Sequence, residues 1–236
     1  MGRKQLNLIG SSQMNSLGDD SFQQLKKEKP VSTDASENRY VKCITHRLLQ
    51  AMGENPDQWE IVVFKDEAPN AFALPGKNMG VHTGMLKLAK NQSQLAAVIG
   101  HEIGHVLAEH GNERMSQGLL AQAGLTAADL FLGKDTQKDQ MILAALGLGA
   151  QYGVLLPFSR KQEREADRLG LKYMAQAGFD PQEAANLWKL MSQLGGSPPE
   201  FLSTHPSPQS RIEDLSARAQ NHIGVYQAVE NKPNCK

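Results

Sequence analysis

The stretch Leu95-Ala-Ala-Val-Ile-Gly-His-Glu-Ile-Gly-His-Val-Leu-Ala-Glu-His110 decides how the chain is read. Val98, Ile99, Val106 and Leu107 supply apolar faces at helical spacing. Asn91 with Gln94 three residues on resembles a capping box, and Gly111 suits the position just past the helix end. Inside this helix stands His101-Glu102-Ile103-Gly104-His105, an H-E-x-x-H pattern. Positions i and i+4 lie one above the other on a single face, so both imidazoles can converge on one metal ion. Glu102 is rotated about 100° from His101, where a carboxylate reaches a metal-bound water without itself being a ligand. Gly100 and Gly104 each cost about 1 kcal/mol relative to Ala in a helix, so close approach of another backbone or a substrate is expected there.

A third ligand has to come from elsewhere. An H-E-x-x-H-x-x-G-x-x-H site needs Gly at 108 and His at 111, and the chain has Ala108 and Gly111. His110, five positions after His105, falls about 140° around the helix and is expected to face elsewhere, as a structural or surface residue. The next candidate lies in Ser159-Arg-Lys-Gln-Glu-Arg-Glu-Ala-Asp167. Ser159 and Gln162 form a capping box that puts Glu163 in the first turns of a new helix. Glu163 and Asp167 share a face at i, i+4, which suits a carboxylate ligand beside a carboxylate that orients a ligating imidazole. Glu165 points away from that pair. Two His and one carboxylate favour zinc, although the set would also accept Co²⁺ or Mn²⁺.

Outward from these motifs, the chain reads as one mostly helical α+β domain with a small three-stranded sheet beside the active helix. Residues 1–38 are a polar N-terminal arm with one helix around Asp19–Lys27, 39–222 the main domain, and 223–236 a C-terminal tail. A helix is expected over Arg39–Met52 and strands over Trp59–Phe64, Ala71–Leu74 and Met79–His82, the last two joined by a Pro75–Asn78 turn. Helices follow, broken near Gly111, Gly133, Pro157, Gly178 and Gly195–Pro199. Met141–Phe158 carries no charge over 18 residues, the minimum for a membrane span. Gln151, Tyr152, three glycines and Pro157 favour instead a buried or membrane-facing hairpin. The 236 residues hold 25 Lys+Arg and 25 Asp+Glu, a balance that gives no footprint for nucleic acid. Cys43 and Cys235 make no C-x-x-C, and a single bridge and two unpaired thiols remain alternatives.

Three motifs in order, His101–Val106, Leu156–Gly170 (L-P-F-S-R-K-Q-E-R-E-A-D-R-L-G) and Thr204–Arg211 (T-H-P-S-P-Q-S-R), resemble the gluzincin metalloendopeptidases. The likeness is to the family of the CAAX prenyl proteases and HtpX (peptidase family forty-eight of the metallo class), over about residues 1–220. It is nearest the periplasmic lipoprotein branch of BepA and LoiP and the mitochondrial Oma-type proteases. The resemblance implies zinc ligands His101, His105 and Glu163, general base Glu102, and Asp167 behind a histidine ligand. It also implies that His205 approaches the zinc, as a transition-state donor or a regulatory fourth ligand, with Arg211 holding its segment. Asn70, Ala71, Phe72 and Ala73 fit the strand that precedes the active helix, and a polypeptide substrate would add to the edge made by the second and third strands. Gly2–Leu8 resembles the segment after the lipidated cysteine of such lipoproteins, implying a periplasmic, membrane-anchored protein. A reading from another class is an assembly factor whose site is shut by His205 and whose segment 141–158 contacts clients or membrane.

Overall fold

A computed structural model describes residues 4–123, 158–194, 200–205 and 209–235. The expectations for 141–157 and for breaks at Gly133, Pro157 and Gly195–Pro199 lie outside them. Strand β1 (Glu60–Phe64) runs parallel to β3 (Asn78–His82), with Glu60 opposite Asn78. Strand β2 (Ala71–Leu74) runs antiparallel to β3, with Ala71 opposite Val81. The order is β1-β3-β2, so β3 is central and both its sides are paired. The substrate edge expected from the second and third strands together is therefore reduced to β2. Gly76 (φ 87°) and Lys77 (φ 67°) take the left-handed conformation and reverse the chain between β2 and β3.

All of β3 is buried because helices cover both faces of the sheet. Side chains alternate between the faces. Val62, Phe64, Phe72 and Leu74 meet Met14, Phe22 and Leu25 of α1 (Ser11–Glu28) in one apolar cluster. Phe22 stands edge-on to Phe64 and Phe72 at 6.0 and 6.2 Å, and burying each such ring contributes roughly 2–3 kcal/mol. The helix expected around Asp19–Lys27 thus extends back to Ser11. Gly18 lets it dock, since a Cβ there would come within 2.0 Å of the Pro75 carbonyl oxygen. Val63, Ala71, Ala73, Met79 and Val81 belong to the larger core on the other face, with α2 (Ala35–Ala51) packed on β1 and α4 (Gln92–Leu107) on β2. Asp34 caps α2 by accepting from the Ser36 and Glu37 amides.

The chain continues from β3 into α3 (Thr83–Leu88) and α4, then α5 (His110–Ala123), α6 (Arg160–Gln176), α7 (Gln182–Ser192), α8 (Glu200–Thr204), α9 (Gln209–Gln220) and α10 (Ile223–Gln227). Helices α4 and α6 touch backbone to backbone. A Cβ on Gly104 would lie 3.2 Å from the Ala166 carbonyl oxygen, and one on Gly170 3.2 Å from the His101 nitrogen. The close approach expected of Gly100 and Gly104 is this helix contact. The molecule is a mostly helical α+β fold with one small mixed sheet. Cys43 and Cys235 are bridged, joining the chain's end to α2 across 192 residues. The tail also docks on the start of α4, where Gln92 donates to the Pro233 carbonyl at 2.7 Å and accepts from the Cys235 amide at 3.0 Å. Among the described residues no helix is long and apolar enough to cross a membrane.

Candidate metal centre

Helix α4 begins at Asn91, whose side chain accepts from the Gln94 amide at 2.9 Å. It brings His101 and His105 into T-shaped contact on one face, with their Nε2 atoms 3.0 Å apart. Helix α6 begins at a full capping box, Ser159 and Gln162 each bonding the other's backbone amide. Because the glycine contacts draw it against α4, Glu163 in its first turn reaches the same point. Glu163 Oε1 lies 3.2 Å from His105 Nε2, and Oε2 lies 3.6 Å from His101 Nε2. His205, after α8, completes the group: its Nδ1 is 2.9 Å from Glu163 Oε1 and 3.3 Å from His101 Nε2. Its segment is pinned by the Phe158 amide, which donates to the Thr204 carbonyl at 3.0 Å. The Phe158 and Phe201 rings stack on the His205 imidazole at 4.9 and 4.6 Å.

His101, His105, Glu163 and His205 are all buried, and each offers one ligand atom within 4.8 Å of the others. Five contacts among them, reaching both Glu163 oxygens, fall at 2.9–3.6 Å, near the edge of about 3.4 Å of a tetrahedron whose centre is about 2.1 Å from each N or O donor. The donor set therefore fits zinc. Three imidazoles and a carboxylate are borderline N/O ligands of the type zinc takes.

Surrounding groups hold these side chains. Asp167 Oδ1 accepts from His101 Nδ1 at 2.9 Å, which leaves Nε2 bare toward the cluster. Arg211 donates to both oxygens of Asp167 at 2.8 Å, lies 2.5 Å from Glu163 Oε2, and stacks its guanidinium 3.7 Å over Trp188. Burial alone would raise the Glu163 carboxyl, but His205, Arg211 and His101 outweigh it and hold that group well below the usual carboxylate range. Burial opposes ionisation of Asp167 as well, and Arg211 and His101 reverse it. For His105 burial dominates and favours the neutral imidazole, the form that binds metal. Glu102 is 3% exposed, and burial pushes its carboxyl up while His205 and His101 pull it down. Its Oε1 makes no hydrogen bond among the described residues, and His205 Nε2 lies 3.5 Å away. An ionisable oxygen beside the donors is placed to take a proton.

All seven charged or imidazole residues expected at the site, His101, Glu102, His105, Glu163, Asp167, His205 and Arg211, converge here. Of the expected substrate residues Asn70–Ala73, Ala73 shares a cavity with His105. Asn70 accepts from the His82 amide at 2.9 Å, the Phe72 ring is spent in the α1 cluster, and Ala73 lines a cavity of about 100 Å³ with His105, Val106, Glu109 and Phe158. Among the described residues no backbone group of Ala71–Leu74 hydrogen-bonds on the side away from β3.

His110 does not face elsewhere as expected, and of the structural and surface roles expected for it the surface one is excluded. It is fully buried, and its Nδ1 lies 2.9 Å from His105 Nδ1. The angular count failed because α4 ends at Leu107 and Glu109 takes a left-handed conformation (φ 53°), so His110 opens α5 rather than closing α4. Gly111, expected just past the helix end, lies inside α5. The signal available was the histidine beside that expected helix end, where a break just before it turns the ring to the back of His105.

A model of Peptidase family M48 matches residues 35–219. The chain belongs to that family. Relatives of this M48 chain include the mitochondrial metalloendopeptidase OMA1 of Schizosaccharomyces pombe, 37% identical over 179 residues, 75% of this chain and 51% of that protein. The OMA1 of Arabidopsis thaliana is 37% identical over 177 residues, covering 73% of this chain and 34% of that protein. The beta-barrel assembly-enhancing protease of Escherichia coli K12 is 30% identical over 239 residues, 98% of this chain and 49% of that protein. The M48 chain thus spans about half the length of the first and third of these relatives, and a third of the other.

Proposed function

We propose that the chain is a zinc-dependent metalloendopeptidase that hydrolyses peptide bonds in misfolded or envelope proteins. The observation that carries this reading is the buried set of four donors within 4.8 Å of one another with the Glu102 oxygen beside it. His101, His105 and Glu163 would hold one zinc ion, which supplies a Lewis acid for the scissile carbonyl and an acidified water. Glu102 takes the proton of the attacking water at Oε1 and delivers it to the leaving amine. Asp167 keeps the His101 proton on Nδ1, and Arg211 pairs with Asp167 and with the ligand carboxylate Glu163. Burial of the whole group excludes bulk water and strengthens these interactions. The edge of β2, unpaired among the described residues, would receive an extended polypeptide beside Asn70–Ala73 through main-chain hydrogen bonds, with little sequence preference.

A periplasmic, lipid-anchored location is part of the proposal. It is supported by the resemblance of Gly2–Leu8 to lipoprotein sequences, by relatives named for beta-barrel assembly, and by the Cys43–Cys235 bridge, which suits an oxidising compartment. Contact of 141–158 with membrane or client proteins belongs to the same proposal.

One observation favours a second reading. His205 supplies a fourth protein donor, and a catalytic zinc keeps that position for water. The chain would then be an assembly or chaperone-like factor with a latent site shut by His205. Casein hydrolysis by the wild type, His205→Ala and Glu102→Gln proteins separates the two. The peptidase reading expects chelator-sensitive cleavage by the wild type or His205→Ala, and none by Glu102→Gln although it keeps its metal. Zinc-loaded wild type and His205→Ala that both leave casein intact would support the assembly factor. Near-normal turnover by Glu102→Gln would sink the assigned base.

A further inference from the structure

The two histidines of α4 are held in different ways. His101 meets a carboxylate directly, Asp167, at 2.9 Å. His105 meets another imidazole: its Nδ1 lies 2.9 Å from His110 Nδ1, and His110 Nε2 lies 3.3 Å from Glu165 Oε2. We propose that His110 and Glu165 are positioning residues for His105, a two-step relay from an imidazole ligand through a second imidazole to a carboxylate near the surface. The inference rests on the reading of His105 as a metal ligand.

Proton counting gives the relay its direction. His105 Nε2 faces the cluster, 3.0 Å from His101 Nε2 and 3.2 Å from Glu163 Oε1, so a ligating His105 carries its proton on Nδ1. That N–H donates to His110 Nδ1, which must be bare to accept it. With Nδ1 accepting, the His110 ring carries a proton on Nε2, 3.3 Å from Glu165 Oε2, and donates there. Both His105 nitrogens are then engaged, and the ring plane of His105 is set from outside the cluster.

The arrangement also distributes charge. Glu102, Glu163 and Asp167 are already buried around the donors, with Arg211 beside them. A carboxylate directly behind His105 would add a fourth acid to that set. The His110 ring spaces the charge outward to Glu165, whose side chain is 20% exposed while His110 is 0% exposed. Two backbone features place the parts. The left-handed turn at Glu109 swings His110 back toward α4, and α6 carries Glu163, Glu165 and Asp167 at alternate positions, with the outer two on the cluster and the middle one on His110.

The test is zinc affinity by competition with a chromophoric chelator, the visible spectrum of the Co²⁺-loaded protein, and melting of the metal-free protein. Wild type would be compared with His105→Ala, His110→Met, His110→Gln and Glu165→Ala. His110→Met keeps the volume and removes the relay, so zinc affinity should fall about 10- to 100-fold and the Co²⁺ bands shift. His110→Gln can still accept from His105 and donate to Glu165, and should stay within about threefold of wild type. Glu165→Ala, at a partly exposed position, should lose zinc affinity without a matching loss in metal-free melting, and it decides the matter if His110→Met does not fold. Wild-type affinity and spectrum in His110→Met and Glu165→Ala, with the metal lost in His105→Ala, would overturn the relay alone. Undiminished binding in His105→Ala would overturn the ligand assignment and the relay with it.

Discussion

His82 ends β3 with its ring 1% exposed and its Nε2 without a hydrogen-bond partner among the described residues. Burial, with Lys29 adding to it, lowers the imidazole from 6.5 to about 4, against the opposing pull of Asp66 and the Ala68 carbonyl. The unfolded chain therefore binds this proton near pH 6.5 and the folded chain only near pH 4. Between those values the unfolded state holds more protons, so stability rises with pH. The contribution is fully present above about pH 6.5 and is lost as the pH falls toward 4. Urea unfolding at pH 7 and pH 5 should show wild type losing about 2 kcal/mol more than His82→Gln. Equal losses in the two proteins would mean that His82 is not held neutral by the fold. Other single residues were legible to the extent that they sat on a regular helix. His101, His105, Glu163 and Asp167 could be placed by counting 100° steps, because α4 and α6 are regular where those residues stand. His110 could not, because one residue with positive φ at Glu109 breaks the count, and nothing about a glutamate signals a left-handed backbone.

At the scale of elements, the contact that matters is α4 against α6. Gly104 faces the Ala166 backbone at a distance that leaves no room for a branched side chain, and this contact carries Glu163 and Asp167 to the two imidazoles. Gly104→Val should push the helices apart, destabilise the fold by roughly 1–3 kcal/mol and weaken zinc binding by more than the stability loss alone explains. Melting together with chelator competition would show it, and unaltered zinc affinity would mean that the helix spacing does not set the site. The glycines and the Asn91 and Ser159 caps made this pair of helices readable in advance. Helix α1 was only half readable: its first turns are polar and Gly18 weakens the pattern, yet the sheet face built by Phe64, Phe72 and Leu74 needs Met14 and Phe22 as cover. The pairing of β3 on both sides was likewise invisible, since the parallel partner β1 is brought in by a crossover that local alternation does not encode.

For the whole molecule, the bridge between Cys43 and Cys235 ties the last residues to α2 and α4 and closes most of the chain into one loop. Spacing alone left its formation open, because pairing depends on where the tail docks, and that is a tertiary fact. Removal of a native bridge of this kind costs about 2–5 kcal/mol. Cys43→Ser should melt several degrees lower, as should wild type in reductant, while zinc stoichiometry stays the same because the bridge lies away from the donors. Loss of zinc on reduction would show instead that the tail controls the site. The donors of the candidate metal centre come from three separate parts of the chain, α4, α6 and the His205 segment, with Arg211 of α9 behind them, and the two anchor motifs were visible because each is short and helical. The most direct measurement of the central claim is the zinc content of the purified wild-type and Glu163→Ala proteins after dialysis. One carboxylate ligand from α6 completing the α4 pair predicts about one zinc per chain in the wild type and little in the variant. Full zinc content in Glu163→Ala, or none in the wild type, would contradict it.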